Sequence, residues 1–271
     1  MPDGLEVMTE WRWKLPSSRE ADGTSWDRVT TNKFKLASSV SGLRITGEAV
    51  KTARQRALGA TNIHGNMTSP KPVSAHLTYE LRVSLQFVQP EVWRVLRVPH
   101  DLRMSQLHKV LQAAFAWTNS HLHQFHVRDT EKNTQVIVGD PRNEDDLYIP
   151  GEEAPAKTRD ERKVTLAECL LKPGDQLAYE YDFGDGWIHE VTLVAVHEQA
   201  TRLATALCLD GARACPPEDC GGPPGYDNFL TAIGDPAHEE HESMLEWVGG
   251  DFDPAAFDLG IVARALAKLK G

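Results

Sequence analysis

Residues 176–196 read QLAYEYDFGDGWIHEVTLVAV. Two runs rich in aromatic and β-branched residues flank Gly184-Asp185-Gly186. Asp-Gly between such runs is a strong short-range signal for a β-hairpin. Gly184 and Gly186 are expected at turn positions where a Cβ is unwelcome. On the second strand Trp187, His189 and Val191 share one face. With the Trp face inward, His189 is partly buried and needs a partner. Asp182 or Asp185 can orient it, which makes His189, Asp182 and Asp185 the candidate acid/base set. The competing reading is a structural hairpin whose aspartates cap the turn.

Working outward from this hairpin, the same β character recurs upstream. Tyr79, Leu81, Val83, Leu85 and Phe87 alternate with Glu80, Arg82, Ser84 and Gln86, the pattern of a half-buried strand. Pro90 and Glu91 follow as a turn, and residues 92–98 read as the hairpin partner. A helix comes next, capped at Ser105, with Leu107, Val110, Leu111, Ala114 and Phe115 on one face. Residues 121–128 (HLHQFHVR) read as a further strand. On it His121 and His123 share a face, where two imidazoles can share a metal, while His126 points the other way. Residues 139–163 read as a long polar loop and 164–171 as a short helix. A strand is expected near 203–209, and helices over 226–234, 237–247 and 258–269. In the 237–247 helix, Met244, Leu245 and Trp247 are expected to face the core. Strands and helices mixed without regular βαβ alternation predict an α+β fold, a mainly antiparallel sheet with helices packed on it, roll-like in form.

The chain has 271 residues, 41% of them hydrophobic, and a formal net charge of −10. Residues 1–70 are net basic, so the acidity belongs to the remainder. An acidic domain repels phosphate backbones, which argues against nucleic-acid binding by the main domain and leaves the basic arm as the alternative. No apolar run is long enough to span a bilayer. The first residues lack the basic-then-apolar signal pattern, so the cytoplasm is the expected location. Residues 1–74 are expected to form a poorly ordered N-terminal arm in front of a domain at 75–271. Trp11, Trp13 and Trp26 and the basic stretch 47–58 are its exceptions. Met67 stands just before the regular pattern and offers an alternative start.

The chain carries no GxxxxGK[ST], GxSxG, HExxH or dinucleotide fingerprint. Four cysteines in such a length are no disulfide framework. Cys208, Cys215 and Cys220 lie in a loop stiffened by Pro and Gly that can present thiolates to zinc. Structural zinc takes four ligands. His241 is taken as the fourth, with His238 and His189 as alternatives. Against this stands a cluster of buried thiols or a redox-sensitive pair. Residues 238–258 hold seven acidic groups and no Lys or Arg, a solvated helix face or a partner-binding one.

Several of these segments together resemble one family. They are YELRVSLQFVQPEVWRVLRVP (79–99), the helix before Trp117, HLHQFHV (121–127), YEYDFGDGWIHEV (179–191), CPPEDCGGPPGY (215–226) and EWVGGDFDPAAFD (246–258). The chain is similar over about residues 75–269 to the plasmid pRiA4b ORF-3-like family, which includes insertion-element passenger proteins labelled TnpR. The resemblance implies an α+β roll-like domain carried on plasmids, transposons and chromosomes, and it implies no reaction. The resolvase label of some relatives finds no nucleophile setting here. The resulting expectation is a non-enzymatic accessory or interaction domain of mobile elements with zinc in its cysteine loop. The alternatives are a metal-dependent hydrolase or nuclease using the His and Asp residues of 121–126 and 182–189, and a nucleic-acid adaptor acting through the basic arm.

Overall fold

The computed structural model describes residues 76–129, 134–143 and 158–269. The expectations for the arm, for its three tryptophans, for the 47–58 helix and for most of the 139–163 loop lie outside these residues.

The eight strands of the described residues form one sheet in the order β5-β4-β3-β6-β7-β1-β2-β8. In chain order they are β1 (His76–Leu85), β2 (Trp93–Pro99), β3 (His123–Asp129), β4 (Thr134–Gly139), β5 (Arg159–Asp160), β6 (Gln176–Tyr181), β7 (Trp187–Gln199) and β8 (Leu207–Ala212). All pairings are antiparallel except β4 with the two-residue β5. The α+β class and the antiparallel sheet are therefore as the sequence predicts. Among the described residues five α-helices accompany the sheet: α1 (Met104–Phe115), α2 (Leu166–Cys169), α3 (Gly222–Gly234), α4 (His241–Val248) and α5 (Leu259–Ala267).

Alternation builds the core. Leu81, Val83, Phe125, Tyr179, Trp187, Val191 and Leu193 turn one face of the sheet inward and are essentially inaccessible to solvent. The apolar stripe of α1, with Leu107, Leu111 and Phe115, is buried in the same cluster. The 176–196 hairpin is β6 and β7, with Tyr181 opposite Trp187 and Tyr179 opposite His189. Its turn closes by Gly186 N–H donating to Asp182 O at 2.6 Å. Gly186 has φ +66°, the left-handed region that favours glycine. Gly184 does not lie there, and the second left-handed position of the turn is Asp182, at φ +56°.

Several local expectations are corrected. Phe87 leaves the strand, at φ +64° and half exposed, because the chain already turns after Leu85. The cap of α1 is Arg103, whose backbone N–H donates to the Gln106 side chain at 3.1 Å, rather than Ser105. Residues 164–171 shorten to the single turn of α2, closed by Thr165 and Glu168. The last strand runs over 207–212, where it can pair with β2. Trp247 is 48% exposed, since α4 buries no residue fully. Strand β4 was not legible at all, because its partner β3 and not its own short pattern holds it.

Candidate functional site

His121 lies just before β3, not on it. It therefore does not share a strand face with His123, and the two imidazoles have different partners. His123 Nε2 is 2.8 Å from Glu161 Oε2 and its ring stacks on His108, with centroids 3.5 Å apart. His126, on the other face, lies 2.7 Å from Glu180 Oε2. His121 instead meets two aspartates. Its Nε2 is 3.5 Å from Asp182 Oδ2 and 3.0 Å from Asp219 Oδ1.

Three motifs supply this cluster: the 117–122 turn, the hairpin turn 182–186 and the loop 215–222. Strand pairing brings the first two together, since β3 lies beside β6, with His123 opposite Tyr181. Asp182 N–H donates to Leu122 O at 2.9 Å. The left-handed backbone of Asp182 lets its Oδ1 accept from Gly184 N–H and Asp185 N–H, at 3.0 and 3.3 Å. These bonds fix the carboxylate, and its other oxygen faces His121.

The third motif is held by close backbone approach. Gly221 N–H donates to Asp185 Oδ2 at 3.1 Å. Gly222 has φ +68°, and a Cβ there would stand 2.2 Å from Asp185 O. Trp117 Nε1–H donates to Pro216 O at 3.1 Å, which gives the Pro-Pro segment its role as a fixed acceptor. Glu218 ties the pieces: Oε1 accepts from Thr118 N–H at 2.7 Å and from Tyr181 Oη–H at 3.0 Å, and Oε2 accepts from Thr118 Oγ1–H at 2.6 Å. Burial pushes the Glu218 carboxyl upward, but the bonds from Thr118 and Tyr181 and the nearby His121 outweigh it and hold the group below its ordinary value. Burial, then Glu218, pushes the Tyr181 phenol up to about 12, so it stays a neutral donor. Its ring stacks on Trp117 at 4.9 Å.

His121 Nε2 is enclosed, yet it has no hydrogen bond. It lies within ion-pair distance of both carboxylates without a hydrogen bond to either. Among the described residues, His121, Asp182 and Asp219 form the one group of three whose potential ligand atoms lie within 4.8 Å of one another. The exposure is graded. Asp182 is buried, His121 half-buried, and the Asp219 side chain is 70% exposed. The cluster thus opens to solvent on the Asp219 side.

The other candidates sit elsewhere. His189 is fully buried, with Nδ1–H donating to Tyr179 O at 3.3 Å and Nε2 unpartnered. The edges of Phe115 and Trp117 surround it, so it pairs with neither Asp182 nor Asp185. Burial pushes its pKa down to about 3, and it is a neutral core residue. Among the described residues, Cys208, Cys215, Cys220 and His241 do not form a group whose ligand atoms lie within 4.8 Å of one another. Cys208 Sγ–H donates to Asp210 O at 3.4 Å, and His241 Nδ1–H donates to Ala232 O at 2.9 Å. Burial raises the Cys215 thiol well above its ordinary value and Cys220 to about 12, so both are held protonated. To the cluster around His121 the loop contributes Asp219, with Glu218 beside it. Sequence reading missed these two, although each lies inside the Cys-Pro-Pro-Glu-Asp-Cys motif that drew attention.

The fold and site define a class: an antiparallel α+β domain whose three motif loops converge on an imidazole–carboxylate mouth. Residues 77–260 match the model of the plasmid pRiA4b ORF-3-like protein, and the chain belongs to that family. It is 40% identical over 191 residues to the uncharacterized protein y4hQ of Sinorhizobium fredii (strain NBRC 101917 / NGR234), covering 70% of this chain and 90% of that one. It is also similar to the crystal structure of MM3350, a protein of unknown function from Methanosarcina mazei Go1. The TM-score is 0.59 at 31% identity, over 68% of this chain and 97% of that one. Among the described residues no helix is long and apolar enough to cross a membrane.

Proposed function

We propose that the chain is an accessory domain of plasmid- and mobile-element-borne systems that recognises a cation at the mouth formed by His121, Asp182 and Asp219. One observation carries this reading. The converging motifs bring Asp182 and Asp219 against a single imidazole with Glu218 nearby, and among the described residues none of these carboxylates pairs with a Lys or Arg. Uncompensated carboxylates attract cations and repel phosphates.

The test is calorimetric titration of the full chain with Mn²⁺, spermidine, N-acetyl-arginine amide and inorganic phosphate. At least one cation should saturate a single site, and the double variant Asp182→Asn/Asp219→Asn should weaken it tenfold or more. Binding of phosphate alone, or cation binding indifferent to the double variant, would sink the reading. A second reading, hydrolysis of a neutral ester or amide, is favoured by the pairing of one imidazole with two carboxylates, one of them exposed. Turnover of p-nitrophenyl acetate that disappears with His121→Ala supports it, and equal turnover by both proteins removes it.

A further inference from the structure

The spacing of the three groups narrows the cation. We propose that the mouth is a divalent transition-metal site, of the Mn²⁺, Fe²⁺ or Zn²⁺ kind, with His121 Nε2, Asp182 Oδ2 and Asp219 Oδ1 as its protein ligands. This rests on the cation-recognition reading and goes beyond it, because an ammonium or guanidinium would satisfy the charge equally well.

Geometry makes the distinction. Two ligand atoms each about 2.1 Å from one ion lie roughly 3.0 Å apart at right angles and about 3.4 Å apart at the tetrahedral angle. His121 Nε2 stands 3.0 Å from one carboxylate oxygen and 3.5 Å from the other. In such a shell the imidazole lone pair aims at the ion, about 45° away from a neighbouring ligand oxygen at right angles. A ring N–H in the same direction then makes no good hydrogen bond to that oxygen. The enclosed Nε2 shows this combination, close to two carboxylates and bonded to neither. A His–Asp hydrogen bond would instead have placed one oxygen on the ring axis.

The surroundings agree. Asp182 is anchored through its other oxygen by two backbone N–H groups, and Glu218 locks the 117–122 turn against Tyr181. Such outer bonds orient ligands before an ion arrives. The donor set decides the kind of ion. One imidazole with two carboxylates suits Mn²⁺, Fe²⁺, Co²⁺ and Zn²⁺, whereas Mg²⁺ and Ca²⁺ take oxygen ligands. Three protein ligands and an exposed third side leave positions for water or a ligand group, as an open site requires.

The experiment uses the full chain stripped with chelator and titrated with Co²⁺, followed by visible absorption and calorimetry. One equivalent should bind, giving ligand-field bands without a thiolate-to-cobalt charge-transfer band. His121→Ala and Asp219→Asn should each weaken it tenfold or more. Asp219 is exposed, so its variant keeps the test valid if His121→Ala disturbs the fold, which circular dichroism reports. Mg²⁺ should bind at least tenfold more weakly than Co²⁺. A thiolate band, Co²⁺ binding untouched by both variants, or Mg²⁺ binding as tight as Co²⁺ would overturn the assignment. Absence of Co²⁺ binding with spermidine or arginine-amide binding retained would remove the metal and leave cation recognition standing. Absence of all three would remove both.

Discussion

At the residue scale Asp182 has two separable tasks, one for each oxygen. Oδ1 caps the hairpin turn and Oδ2 faces His121. Asparagine keeps the capping oxygen and tolerates the left-handed backbone, so it separates the two. Asp182→Asn should hold stability within about 0.5 kcal/mol while cation affinity falls tenfold or more. Asp182→Ala loses the cap as well and should cost about 1–2 kcal/mol by chemical denaturation. Equal stability losses for the two variants would show that the turn does not depend on the Oδ1 bonds.

At the element scale the two motif loops are clamped by backbone contact, and β2, α1 and β8 by one buried arginine. Gly222→Ala would force a Cβ against Asp185 O from a left-handed backbone. The strain of positive φ alone is about 1 kcal/mol, and the clash adds to it. The melting temperature should fall, and cation affinity with it, because Asp219 rides on this loop. Unchanged values for both would mean that the loop approaches the hairpin less closely than the structure shows. Arg94 is 3% exposed, and its guanidinium donates to the carbonyls of Trp93, Ala114, Ala212 and Arg213 at 2.7–3.0 Å. It lies over the Phe115 and Phe257 rings. A lysine has no planar fork for four divergent acceptors. Arg94→Lys should cost about 3 kcal/mol, since hydrogen bonds from charged donors are worth roughly 1.5–3 kcal/mol each. A loss below about 1 kcal/mol, read from urea unfolding, would show that water replaces the guanidinium at little cost.

At the scale of the whole molecule, two buried histidines set the acid limit. Burial, with the charge of the stacked His123, holds His108 down to about 3, and burial alone does the same for His189. Of the two bonds made by His108, the one accepted from Tyr179 favours the neutral ring, while the one to Asn119 works the other way. Its Nε2–H donates to Asn119 at 2.6 Å and its Nδ1 accepts from Tyr179 Oη–H at 2.8 Å. Both folded pKa values lie below the ordinary 6.5. The unfolded chain therefore binds more protons between these limits. Their contribution to stability is full above pH 6.5 and is lost as pH falls toward 3. Each group gives a slope of about 1.4 kcal/mol per pH unit in that window. Urea midpoints should drop steeply from pH 6.5 to 4.5, and His189→Phe should remove about half of the slope due to this pair. A midpoint independent of pH across that range would contradict the buried, neutral assignment.

The alternating runs at 79–85 and 176–193 determined strands, and Asp185-Gly186 determined the hairpin, because period two and turn chemistry are local properties of a chain. The α+β class followed from the order of such elements, and the YDFGDGW and CPPEDCGG motifs marked the places that matter. What those motifs do was decided in three dimensions. His121 looked like a strand residue beside His123, and His189 like a partner for Asp182, since sequence spacing cannot say where a strand begins or which loop folds over a turn. Strand β3 beside β6, a left-handed Asp182 and glycines tight against Asp185 brought His121 to Asp182 and Asp219. The same packing turned His189 into the core and brought Asp219 of the cysteine loop to the mouth. These contacts join segments distant in the chain. Their free energy comes from shared burial and backbone approach between elements, which no single segment encodes.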